Sequence, residues 1–207
     1  FEDLDVPEND AFTVPISDIP VPATAGTYTY EFQVTDNGEE SGSVSWVITA
    51  DASSFVENSA VVELGAQANQ APSCYSVVNE ERLSITVSSA ADREKIDFFA
   101  HFAQASGITL YSPTATYRRF DNTISSWDAS SINDTKIKKD NALDYATIST
   151  GDVTAYSLTD NDKKADNIST GDVVVFETEA GVKGILEVTD VDVADNGSVS
   201  FNVKYVD

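Results

Sequence analysis

The sequence predicts a mainly β chain, built as two β-rich units in series, the second ending in an antiparallel meander with a few short helices before it. Three observations predict this. Apolar residues alternate with polar ones in short runs, the period of two of half-buried strands. Turn signals separate the runs, among them Asp36-Asn37-Gly38, Glu179-Ala180-Gly181 and Asp195-Asn196-Gly197. The charge is also stepped: residues 1–66 hold thirteen Asp and Glu and no Lys or Arg, and the first basic residue is Arg82. Such a step marks two units of different character, and we expect them at residues 1–57 and 58–207.

In the first unit, Tyr28, Tyr30, Phe32 and Val34 alternate with Thr29, Glu31, Gln33 and Thr35. After the turn, Val44, Trp46 and Ile48 alternate with Ser45, Val47 and Thr49. The two runs read as a hairpin with a loop longer than two residues. Pro15, Pro20 and Pro22 precede it and fit an edge strand or a loop. The pattern over residues 11–50 resembles the last two strands of an immunoglobulin-like or cadherin-like surface repeat. That resemblance implies an immunoglobulin-like β-sandwich, or its C-terminal part, because the complete domain needs about 100 residues.

Residues 51–58 read as a linker. Val61, Val62 and Leu64 then begin a strand closed by Gly65, and Leu83, Ile85 and Val87 alternate as another. Residues 89–94 suit one or two helical turns, with Ser88 or Ser89 as N-cap and Asp92 in the first turn. Residues 95–103 are aromatic-dense and alternate, which favours a strand. Residues 107–113 give another strand, ended by Pro113. In the polar stretch 114–170, residues 133–139 and 141–149 read as short helices capped by Asp134 and Asn141. Strands near 172–179, 182–193 and 198–206 form the meander, with Val173, Val175, Ile185, Val188, Val199, Phe201, Val203 and Tyr205 as core. One echo stands out: Ser149-Thr150-Gly151-Asp152-Val153 recurs as Ser169-Thr170-Gly171-Asp172-Val173, and both read as a turn entering a strand.

Composition narrows the function. The chain of 207 residues is 41% hydrophobic and 10% aromatic, enough for a packed core despite a net charge of −23. That charge repels nucleic-acid phosphates and anionic membrane, and suits solubility outside a cell. No apolar run reaches the roughly 18–20 residues that span a bilayer. Cys74 is the one cysteine and His101 the one histidine, so neither an internal disulfide nor a structural zinc site can form. The chain starts without Met and reads as a processed or trimmed one.

Residues 60–207 resemble a group of uncharacterised exported lipoproteins of the Bacteroidetes. The resemblance rests on motifs in order: residues 61–69, 73–79, 91–102 and 107–113, then 125–139, 143–149 and 164–191. Two positions depart from the group's pattern, His101 in place of a Tyr and Cys74 in place of an aromatic. The resemblance implies a preceding immunoglobulin-like unit, export, and a lipid anchor upstream of Phe1. It transfers no functional residue.

The residues nominate no catalytic group. His101 lies in an aromatic strand, where a core histidine outweighs a general base, and Cys74 reads as a buried thiol. Phosphate-binding glycine loops are absent. The 35 acidic residues could hold a glycosidase pair but nominate none. For a metal, Asp190, Asp192, Asp195 and Asn196 are candidate Ca2+ ligands, as are the acids of residues 160–166, against ordinary turn chemistry. For a ligand, Trp127, Tyr117 and Tyr111, with Tyr145, are candidate sugar-stacking aromatics, against burial. Arg118 and Arg119 form a basic spot beside Tyr117.

The expected function is a non-catalytic, monomeric binding or accessory module at the outer-membrane surface or in the periplasm. Glycan capture or adhesion to a surface protein would be its work, with no cofactor and no nucleic acid. The alternatives are a purely structural spacer and a carboxylate-dependent glycoside hydrolase.

Overall fold

The computed structural model describes residues 26–35, 41–50, 54–86, 89–115 and 126–206. The chain divides into two units, Phe1–Ala52 and Ser53–Asp207. In the first, β1 (Gly26–Thr35) and β2 (Ser41–Ala50) form the expected hairpin. The antiparallel register pairs Tyr30 with Trp46 and Phe32 with Val44. The other strands expected of an immunoglobulin-like sandwich, and the three prolines, lie outside the described residues.

The second unit is mainly β. One sheet contains β3 (Phe55–Glu57), β4 (Val62–Gly65), β9 (Lys136–Lys139), β11 (Val173–Glu177), β12 (Lys183–Asp192) and β13 (Ser198–Val206), in the order β3-β13-β12-β11-β9. β4 lies along the first half of β13 and β3 along its end. The other sheet runs β10-β8-β7-β5-β6, from β5 (Cys74–Ser76), β6 (Glu81–Leu83), β7 (Phe98–Ala103), β8 (Gly107–Tyr111) and β10 (Lys164–Ala165). A parallel bridge between Ile137 and Lys163 joins them, where the Ile137 N–H donates to the Asp162 carbonyl at 2.7 Å.

Three apolar layers explain the sequence pattern. The central layer lies between the sheets and takes Leu64, Tyr75, Phe98, Ile108, Phe176, Val199, Phe201 and Val203, among others. A second covers the far face of the five-stranded sheet, with Cys74, Ile96, Phe99, Tyr111 and Trp127. A third covers the far face of the other sheet, with Val153, Val173, Val175 and Ile185. Successive strand residues point to opposite faces. Both faces are covered, so β7 and β11 are apolar nearly throughout: Val174 and Phe176 enter the central layer, Val173 and Val175 the third. Gly184 sits opposite Phe176, and a Cβ there would run into the Phe176 ring and meet the Lys204 carbonyl at 2.7 Å. The glycine is what allows that close approach.

The meander is as expected, and all eight of its predicted core residues are buried. Ser89 caps α1 (Ala90–Arg93), its hydroxyl accepting from the Asp92 N–H. Other expectations are corrected. The linker contains β3, because Phe55–Glu57 completes the edge of β13. The Leu83–Val87 run leaves the sheet after Leu83, where Ser84 and Thr86 bond each other; Val87 lies outside the described residues. Residues 136–139 are strand, not helix, because Ile137 is drawn into the central layer. Asp134 accordingly caps nothing, and its N–H goes to Glu179. Residues 141–149 form turns built on the Asp140 and Asp144 carboxylates. The helix there, α2 (Thr150–Ala155), begins beyond them with Ser149 as its cap.

Candidate functional site

The α1 helix ends by aiming Ile96 into the second layer, and the next residue starts the approach to β7. That residue is Asp97, 5% exposed. Its backbone N–H bonds the Tyr75 carbonyl at 2.9 Å, which fixes the side chain beside the turn after β5. Oδ2 accepts from the Val77 N–H at 2.7 Å and Oδ1 from Asn133 Nδ2 at 3.2 Å. Asn133 follows the 3₁₀ turn Ala129–Ser131 and the buried Ile132. Beside it the Asp134 N–H donates to Glu179 Oε2 at 2.8 Å, linking this loop to the β11–β12 turn.

These segments surround a cleft of about 370 Å³ whose polar walls are Ser76, Asn79, Glu94, Lys95, Asn133 and Glu179, with Asp97 beneath. Burial pushes the Asp97 carboxyl up to about 6, against the pull of the Val77 N–H and the Asn133 amide. Lys95 bonds Asp92 at 3.0 Å and approaches Glu81 at 3.9 Å; the Asp92 bond holds its ammonium above the usual range. The cleft therefore sets the Glu94 and Glu179 carboxylates, the Asn79 and Asn133 amides and the Lys95 ammonium around one nearly dry carboxylate.

The residues singled out in the sequence lie elsewhere. Trp127 is 4% exposed, with the Arg93 guanidinium 5.6 Å from its ring centre. Tyr111 is 4% exposed and stacks on Phe99 at 5.6 Å. Neither ring offers a face to a sugar, because the second layer needs both to cover its sheet. Tyr145 is half-buried beneath Lys204, whose ammonium lies 4.5 Å from its ring centre and donates to its carbonyl at 2.6 Å. Tyr117, Arg118 and Arg119 lie outside the described residues. His101 and Cys74 are buried; His101 meets Tyr111 edge-on at 6.2 Å.

The Ca2+ candidates do not converge. Asp190 and Asp192 stand exposed on β12. Asp195 accepts from Gln67 at 2.6 Å, and the Asn196 carbonyl accepts from Asn69 at 2.8 Å. In residues 160–166, Asp160 pairs with Lys136, Asp162 with the Thr159 N–H and hydroxyl, and Asp166 with Lys164. Among the described residues no three His, Cys, Asp or Glu side chains gather as a metal site. No described helix is long and apolar enough to cross a membrane.

Sequence reasoning missed Asp97. A signal existed: it shares an alternating face with Phe99 and His101, an acid among residues destined for burial. The segments that meet it, near residues 77, 133 and 179, are far apart in sequence.

No protein-family model matches the chain, and no curated protein does. Among solved structures it is similar to the crystal structure of a DUF4466 family protein from Parabacteroides merdae ATCC 43184. The TM-score is 0.54 and the identity 14%, over 89% of this chain and 64% of the other. The chain thus spans less than two thirds of that protein's length, and the likeness is one of fold.

Proposed function

We propose that the chain is a non-catalytic binding module and that the Asp97 cleft is its ligand-facing surface. One observation carries the reading: Asp97, 5% exposed, lies at the cleft with the Val77 N–H and the Asn133 amide on its carboxylate. An acid shifted from 3.8 to about 6 by burial is ionised at neutral pH at a cost of about 3 kcal/mol. An uncharged side chain would avoid that cost, and perturbed acids placed at clefts are candidates for function. The wall oxygens of Glu94, Glu179 and Asn133 suit a ligand rich in hydrogen-bond donors. Saccharide hydroxyls are the class to test first, so glycan capture remains the leading form of the proposal, now without an aromatic platform.

Titrating the labelled protein with neutral mono- and oligosaccharides, followed by amide NMR, tests this. Shifts should concentrate at Ser76, Asn79 and Asn133. No response at millimolar sugar, or one centred away from the cleft, counts against it.

The wider setting belongs to the same proposal: a monomer, exported to the outer-membrane surface or periplasm, lipid-anchored upstream of Phe1, and capable of adhesion. The acidic composition and the sequence resemblance support it. Fractionation of cells making the natural precursor should place it in the envelope; a cytoplasmic product would sink this part. A second reading also has an observation behind it. Asp97 shares its cleft with Glu94 and Glu179, and one raised acid beside other carboxylates is how a glycosidase general acid is set. Turnover of aryl glycosides that vanishes in Asp97→Asn would replace binding with hydrolysis.

A further inference from the structure

An ionised carboxylate can only accept hydrogen bonds. Asp97 accepts two, from the Val77 N–H and from Asn133 Nδ2. The second bond decides which way the Asn133 amide points. Its nitrogen must face Asp97, which puts its oxygen at the other end of the amide of a residue that lines the cleft.

A neutral Asp97 carries an O–H and must donate it. The Val77 N–H is a fixed donor and keeps the other oxygen. Asn133 is the side chain already bonded to Asp97, and its Oδ1 receives the new proton by a half-turn of its amide. We propose that Asp97 and Asn133 form a proton-driven polarity switch, in which neutralising Asp97 turns the Asn133 amide over and replaces a C=O acceptor in the cleft wall with N–H donors. The switch regulates the surface assigned above and rests on that reading for its consequence. With Asp97 ionised the wall favours donor-rich ligands, and with Asp97 neutral it also accommodates a ligand acceptor.

Other ionisable groups face the same cleft. Glu94 and Lys95 come from the end of α1, Glu179 from the β11–β12 turn, and Tyr75 from β5; Glu80 closes the turn after β5. Lys95 is engaged by Asp92 and Glu81. The Tyr75 phenol is pushed up to about 12, chiefly by burial, so it stays neutral throughout. Burial of Asp97 sets the operating range and centres it near pH 6. The sign is also set. The folded state holds this proton more tightly than the unfolded one, so this group adds stability as pH falls from about 6 towards 4 and withdraws it as pH rises.

The test needs no ligand. The Asp97 carboxyl carbon and the Asn133 side-chain amide are followed by NMR from about pH 4 to about pH 8. Both should titrate with one midpoint near 6, and the scalar coupling across the hydrogen bond from the Asn133 side-chain nitrogen to the Asp97 carboxyl carbon should be lost at low pH. In Asp97→Asn the Asn133 titration should vanish. An Asn133 side-chain nitrogen that keeps its coupling to the Asp97 carboxyl carbon while Asp97 titrates overturns the switch, as does an Asp97 that does not titrate in this range. A protein that switches but binds no sugar refutes the ligand reading alone, and one that binds sugar without switching refutes the switch alone.

Discussion

Residues 149–153 and 169–173 have the same sequence, Ser-Thr-Gly-Asp-Val, and fold differently. In the first copy Ser149 caps α2, Gly151 is helical, and Asp152 completes a capping box at the surface. In the second, Gly171 takes a φ of 87° and Val173 starts β11. One contact is common to both: the Ser N–H donates to the Asp carboxylate three residues on, at 3.2 Å in the first copy and 2.8 Å in the second. Both valines end in the third apolar layer. The five residues thus specify a local bond and a buried Val, not an element. The residues immediately C-terminal to each copy decide the element: Thr154-Ala155 continues a helix, while Val174-Val175-Phe176 fills two layers of a sheet.

The sharpest contrast is at the aspartates. Asp172 is buried and accepts from Lys139 at 3.1 Å, Asn141 at 2.7 Å and the Ser169 N–H. Burial pushes its carboxyl up, but these partners together hold it below the usual range. Asp172→Ala should therefore cost about 3 kcal/mol in denaturant unfolding, because partners are left buried without an acceptor. Asp172 contributes stability that is present above the ordinary Asp range and lost as pH falls through its lower folded value. The Ala variant should show a flatter acid limb. Asp152→Ala should be clearly milder, and equal losses at the two sites would erase the comparison.

The glycines should respond with opposite signs. Gly171→Ala forces a side chain into a left-handed backbone and should destabilise by about 1–2 kcal/mol. Gly151→Ala places a better helix former where a Cβ meets only the Ser149 Oγ at 3.7 Å, and should stabilise by about 0.5–1 kcal/mol. Thermal melts of the two variants should shift in opposite directions. Between these in size, Ser149→Ala should cost about 1 kcal/mol by removing the N-cap. If Ser169→Ala costs more than Ser149→Ala, the cap is not what distinguishes the first copy.

Much of the fold was legible. The meander announced itself through clean alternation and two glycine turns, and α1 through Ser89 and Asp92. The elements misread were those whose partners are distant. Lys136–Lys139 carries one apolar residue, and only pairing with β11 makes it a strand. Asn141 looked like a helix cap, yet its amide is held by Asp172 and the Val173 N–H, more than thirty residues away. Trp127 and Tyr111 looked available because exposure is not encoded locally.

The sequence alone determined the β class, the antiparallel close of the chain and the cap of α1, since alternation, turns and that cap depend on neighbours a few residues apart. Only the tertiary structure decided which faces are covered twice and that Asp97 sits nearly dry at the base of a cleft. Those outcomes depend on burial and on bonds between distant segments, and burial belongs to the assembled sheets.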